Sequence, residues 1–376
     1  MKNLTLNLQR LAYLLIILTL GVYIFIVGKT ILIPIAFACL FTFLLLPICQ
    51  RIERVIKFRP IAIILSMLVA LLPVLIAITL FSYQLVTVVK DIPSIGNQLA
   101  RGVGKIVESV KQYLGIEGFD TVEWLQGNID KLLETPISII GKGLSSSTEV
   151  LVGILLTALM TFFMMLYRTS FKNFLLTQFS YRNRDSAQNM LNEIQTILQE
   201  YLYGLLMVIL ILGVLNSIGL WIIGIQYAAF WGFMAAFMAI IPYIGTTLGG
   251  TLPFIYALAT TGTFWQPAAV VILYTSIQTL EGNFITPNVI GNSVSINPLT
   301  AIIALVFGGM VWGVAGLILA LPIVAILKVV FSYIPLLRPV SELFSTGLYR
   351  NSQKFLEEYD DEEYRWVNYF KREEDN

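Results

Sequence analysis

An all-α fold, a polytopic transmembrane helix bundle of about eight spans, is the class that this sequence predicts. Three observations predict it. The chain of 376 residues is 57% hydrophobic and only 12% charged, about half the charge of a soluble domain, and its mean hydropathy is +0.80. Uncharged runs long enough to cross hydrocarbon recur along it, each close to the roughly 20 residues that a spanning helix needs. Between Tyr201 and Leu327 the one Asp, Glu, Lys or Arg is Glu281.

The charges that bound these runs place helices over 11–28, 31–49, 60–85, 149–167, 202–224, 227–260, 264–282 and 298–334. The sixth and eighth are long enough to be broken, tilted or extended past the lipid. The first follows Lys2 and Arg10 like a signal peptide, but its apolar run is too long and a second span follows at once, so it reads as a retained helix. The chain then divides into spans 1–3 (1–90), an extracytoplasmic helical insert (91–148), span 4 (149–167), a cytoplasmic connector (168–201), spans 5–8 (202–335) and a charged tail (336–376). The insert carries apolar residues at helical spacing, such as Ile106, Val107, Val110, Tyr113 and Leu114. Short amphipathic helices against the membrane or a neighbouring subunit are expected there. In the connector, Met190, Leu191, Ile194, Ile197 and Leu198 mark one helix face that caps the bundle. The acidic run from Glu357 to Glu363 in the tail reads as a solvated segment.

Orientation follows from the loops. Arg51, Arg54, Lys57 and Arg59 make 50–59 the densest basic loop, so that loop and both termini are expected in the cytoplasm. Acids outnumber bases in the exterior insert, in keeping with that assignment.

Composition also excludes chemistry. The chain has no histidine, which removes the commonest general base and metal ligand together. Cys39 and Cys49 share one apolar run and read as buried thiols. There is no phosphate-binding glycine loop, no basic stripe for nucleic acid and no serine with a partner base. No catalytic residue, metal or cofactor is expected.

Two broken stretches remain as the candidate transport pathway. The first, 241–253, contains Pro242, Tyr243, Gly245, Gly249 and Pro253. Proline removes a backbone donor and glycine weakens a helix, so such a break must sit in protein or line a wet cavity. Gly245 and Gly249 equally fit a helix-packing pair. The second, 281–298, contains Glu281, Asn283, Thr286, Pro287, Asn288, Gly291, Asn297 and Pro298, with Gln278 just before it. Paired Pro/Gly breaks of this kind point to a transporter's binding region, while an extramembrane loop would use the same residues as turn formers. Glu281 is a functional candidate if buried and an ordinary interfacial carboxylate if not. Gly308, Gly309, Gly313 and Gly316 read as close helix packing.

At these stretches the sequence resembles the autoinducer-2 exporter family of bacterial membrane proteins. The resemblance rests on Ile241-Pro242-Tyr243-Ile244-Gly245 with Gly249 and Pro253, on Glu281, Asn283, Pro287, Gly291, Asn297 and Pro298, and on the glycine-rich last helix with Leu321-Pro322. It covers about residues 10–335. It implies a helical transporter in a bacterial inner membrane, assembled as a homo-oligomer, with a small polar signal molecule as exported solute. Other members resemble sodium or lithium/proton antiporters, so a monovalent cation is an alternative cargo. A third reading, from a different class, is a non-transporting scaffold that displays its insert or tail.

Overall fold

Helices occupy every stretch at which a span was expected. The computed structural model describes residues 8–79, 81–84, 147–241, 244–261, 263–289, 295–347, 353–361 and 364. Residues 91–146 of the expected insert and the last part of the tail lie outside them. The helices are α1 (Leu8–Val27), α2 (Lys29–Val55), α3 (Arg59–Gln84), α4 (Ser147–Leu166) and α5 (Arg168–Thr177). Then come α6 (Arg184–Ile223), α7 (Ala228–Met238), α8 (Ile244–Thr260) and α9 (Trp265–Leu280). A π-helical turn (Glu281–Ile285) leads into the short α10 (Thr286–Val289). Helices α11 (Pro298–Trp312), α12 (Val314–Tyr333), α13 (Arg338–Phe344) and α14 (Lys354–Glu358) complete the chain.

Among the described residues, α2, α3, α6 with its preceding turn, and α12 are each long and apolar enough to cross a membrane, and the bent pair α4–α5 makes a fifth such element. Connector and fifth span are one helix. At 40 residues, α6 is about 60 Å long, twice the hydrocarbon thickness. The predicted boundary at 201 therefore falls inside a continuous helix.

Two compact units divide the chain. The first comprises 1–66, 153–203 and 292–376. Its core joins Leu40 of α2, Ile194 and Leu198 of α6, and Leu319 and Val329 of α12. Glu53 at the end of α2 ties three helix ends together. It pairs with Arg168 at 2.5 Å and stands 3.8 Å from Arg59. Arg59 also donates to the carbonyl of Met165 (2.9 Å), one of the last carbonyls of α4, which have no partner within their own helix. Cys49, fully buried, donates to Glu53 at 3.6 Å, while Cys39 is only half-buried.

In this unit the predicted span 298–334 is a helical hairpin, α11 turning into α12 at Gly313 (φ 59°). A single crossing would put 297 and 345 at opposite ends. Instead Asn297 N–H donates to the Phe344 carbonyl (2.8 Å), and Asn297 Nδ2 donates to the Leu343 carbonyl (2.6 Å). The cause is backbone proximity: a Cβ on Gly316 would stand 1.9 Å from the carbonyl oxygen of Gly308. Two larger residues there would push the helices apart.

The second unit comprises 67–152 and 204–291. The predicted span 227–260 is likewise two helices. A Cβ on Gly245 would meet the Met238 carbonyl at 1.5 Å, and one on Gly249 would meet Ala235 Cα at 2.8 Å. These contacts fold α8 back along α7. With 11 and 17 residues, the two helices are about 16 and 26 Å long, each short of a roughly 30 Å core. A Cβ on Gly232 would likewise strike Ser217 of α6, and one on Gly250 would press on Tyr274 of α9, so glycines also set close approaches of α7 to α6 and of α8 to α9.

Gly316→Ala should lower stability by about 1–3 kcal/mol through overpacking. Gly21→Ala in α1, where a Cβ meets nothing within 4 Å, should be neutral or raise it by up to about 1 kcal/mol. Thermal unfolding of the two variants in detergent compares them directly. Glu53→Gln leaves two guanidinium groups without a counter-charge and should cost on the order of 2 kcal/mol in the same assay.

Candidate functional site

The second unit holds most of the predicted pathway residues. Pro242, Tyr243 and Gly291 lie outside the described residues. Gly245 and Gly249 are the contact points of α8 on α7, so their geometry is that of packing residues. Pro253 is fully buried within α8. Gln278 is exposed near the end of α9.

At Glu281 the α-helix gives way. Thr286 N–H donates to the Glu281 carbonyl, five residues back, the bond that defines a π-turn. Pro287, one residue on, has no N–H to continue either ladder. Asn283 Nδ2 takes up the Thr279 carbonyl at 2.9 Å. A Cβ on Gly282 would meet nothing within 4 Å, so its conformational freedom, and no close contact, serves the turn. Glu281, Thr286 and the hydrophobic Ile285 and Val289 are half-buried, whereas Asn283, Pro287 and Asn288 are exposed. Turns of this type, in which one residue is extra to the helix, concentrate at functional sites.

The same unit contains three buried polar atoms with no hydrogen-bond partner: Asn216 Oδ1 on α6, Trp231 Nε1 on α7 and Tyr274 Oη on α9. Asn216 is 4% exposed and Trp231 7% exposed. Asn216 and Trp231 flank the Ser217–Gly232 contact. The Trp231 ring packs at a tilt against Tyr256, with 5.2 Å between centroids, and Tyr274 packs against the core that includes both. Two donors thus belong to one core, and the acceptor lies in the same unit on the adjoining α6. Each such atom costs about 1–3 kcal/mol when left unsatisfied, and native cores hold few of them. The pathway stretches did not include these residues. A lone asparagine in an uncharged span was the available signal for Asn216, whereas Trp231 and Tyr274 read as ordinary core aromatics.

Asn297 and Pro298 belong to the first unit, where their part is architectural. Asn297 Oδ1 accepts from Thr300 N–H (2.8 Å) and caps α11, with Pro298 at the first helical position. Next to this cap the unit has an open cleft of about 640 Å³. Glu193, Glu200, Ser295, Lys328, Ser341 and Glu342 are among its lining residues. Lys328, on the otherwise uncharged α12, donates to the Ser295 carbonyl (2.6 Å). Ser341 donates to the Lys328 carbonyl (2.8 Å), Tyr333 to Glu193 (2.9 Å) and Lys354 to Glu342 (2.5 Å). Lys328 was missed as a site residue although a base inside an apolar span is itself the signal.

No group of three or more potential metal ligands occurs among the described residues.

Comparison with known proteins gives this arrangement a family. Over 156 residues the chain is 35% identical to YrrI of Bacillus subtilis, a match that covers 41% of this chain and 42% of that one. A protein of Methanothermobacter thermautotrophicus is 24% identical over 280 residues, 73% of this chain and 80% of its own. The AI-2 transport protein TqsA of Escherichia coli is 29% identical over 105 residues, 28% of this chain and 30% of its own. All three names refer to transport, and the aligned part spans less than half of YrrI and TqsA. The model of the AI-2E family transporter matches residues 13–335, nearly the whole membrane-embedded sequence, and the chain belongs to that family.

Proposed function

We propose that this protein is a permease that exports a small polar metabolite of the autoinducer-2 kind across a bacterial inner membrane, with both termini in the cytoplasm, working as a homo-oligomer. One observation carries the reading. Asn216, Trp231 and Tyr274 leave one acceptor and two donors unpartnered in the interior of one unit, and a hydroxylated solute passing between its helices would supply the missing partners. The helix interruptions at 239–241 and 281–285 supply the bends for alternating access. Two features support the topology. The basic loop 51–59 marks the cytoplasmic face, and replacing two predicted crossings by two hairpins leaves the parity of crossings, and so the shared side of the termini, unchanged. Residues 295–297, bonded to 343–345, then face the cytoplasm.

The test is efflux from proteoliposomes loaded with a mixed extract of polar metabolites, followed by mass spectrometry with and without sodium or proton gradients. The parent protein should release a defined solute. Tyr274→Phe removes one hydrogen bond to that solute and should slow efflux about 2–10-fold. Because the deleted hydroxyl has no partner in the fold, the same variant should unfold at the parent's temperature or above it. Efflux from Tyr274→Phe at the parent rate would remove these atoms from the pathway.

A second reading, cation/proton antiport, is favoured by the placement of Glu281 at the π-turn. It predicts that Glu281→Gln abolishes sodium-dependent proton movement in the same vesicles. Proton movement unchanged in that variant would discard it.

A further inference from the structure

Helix α5 stands apart from the packing of its own unit. It has ten residues, follows α4 after a bend of 66° and is exposed along its length except at Arg168 and Leu176, which are half-buried. Its N-terminus has no side-chain cap. A helix of this length is marginal in water without a face to pack. Yet Phe171 (53% exposed), Phe174 (61%) and Leu175 (44%) lie uncovered. They fall three and four residues apart, on one face, and Phe179 (40% exposed) just past the helix extends the row.

We infer that α5 lies in the headgroup layer of the membrane and that its partner is an anionic phospholipid surface. Charge selects this occupant. From Arg168 to Arg184 the chain contains Arg168, Lys172, Arg182 and Arg184 and no acid. Arg168 is held by Glu53, while Lys172, Arg182 and Arg184 are exposed. Continuity with the lipid-facing surface agrees. Leu155, Leu159 and Phe163 of α4 are exposed apolar residues, and Tyr167, 51% exposed at the bend, carries that surface round into Phe171 and Phe174. The 20 residues of α4 are by themselves about the length of a hydrocarbon crossing, and if α4 alone makes that crossing, the 66° bend turns α5 toward the membrane plane, as an interfacial helix requires. The bend is fixed on both sides. Arg59 holds the Met165 carbonyl before it, and Glu53 holds Arg168 after it. Basic side chains flanking an apolar face are the pattern that anionic headgroups attract. The inference concerns anchorage and is independent of which solute the bundle carries.

The experiment uses the full chain in nanodiscs of phosphatidylcholine alone or of phosphatidylcholine and phosphatidylglycerol in equal parts. Hydrogen exchange is read on peptides covering 168–181. With phosphatidylglycerol these amides should exchange about tenfold more slowly, and the double variant Lys172→Gln/Arg182→Gln should lose that difference while peptides from α12 stay unchanged. Phe174→Trp should add fluorescence that lipids brominated high on the acyl chain quench. Equal exchange in both lipids, together with unquenched fluorescence from the introduced tryptophan, would overturn the inference. Protection that follows protein concentration instead of lipid charge would also overturn it, since a second copy of the chain would then cover the face.

Discussion

In hydrocarbon no solvent takes up a stray amide or carbonyl, and every departure from the helix must be answered inside the protein. The non-helical points of this fold follow from that constraint. The turn between α11 and α12 is closed by Gly313 N–H on the Gly309 carbonyl and Leu317 N–H on the Gly313 carbonyl. The start of α11 is answered by Asn297, which caps its own helix and holds the last carbonyls of α13. At the π-turn, Thr286 reaches back five residues and Asn283 covers the Thr279 carbonyl. In the second unit the buried side-chain atoms of Asn216, Trp231 and Tyr274 stand out because they are not answered in this way.

Glycine makes the compact hairpins possible, through space more than through backbone freedom. Gly308 against Gly316, Gly245 against Met238 and Gly232 against Ser217 bring backbones to distances that a Cβ would forbid. Within a membrane, where apolar side chains gain little by leaving lipid, such close approach is a main source of helix association. The interior atoms left unsatisfied run the other way. They cost stability, a cost that the proposed path accounts for if a passing polar solute meets them.

Much of this was legible in the sequence. Uncharged runs located helices, because charge in lipid is costly whatever the tertiary fold. The glycine-rich last segment read as close packing, and Gly308 and Gly316 do pack backbone to backbone. The hairpins were not legible. An apolar run of the length of 227–260 or 298–334 is equally consistent with one long span or two short helices, and only contacts such as Gly245 with Met238 decide between them. Of the candidate site, Glu281 was found because an isolated carboxylate is conspicuous. Trp231 and Tyr274 were not, since an aromatic residue shows in sequence neither its burial nor the fate of its polar atom. Asn297 was read as part of the pathway, but the residues it bonds lie some 46 positions away, beyond the reach of any local pattern.

The central claim is that the core around Asn216 is a wet path and not merely a poorly satisfied dry interior. Labelling of Asn216→Cys by a small, water-soluble thiol reagent, in intact membrane vesicles, tests it most directly, with the buried Cys49 as internal reference. The account predicts that the introduced thiol reacts in folded protein while Cys49 does not. A thiol at 216 that stays as unreactive as Cys49 until the protein is denatured would contradict it.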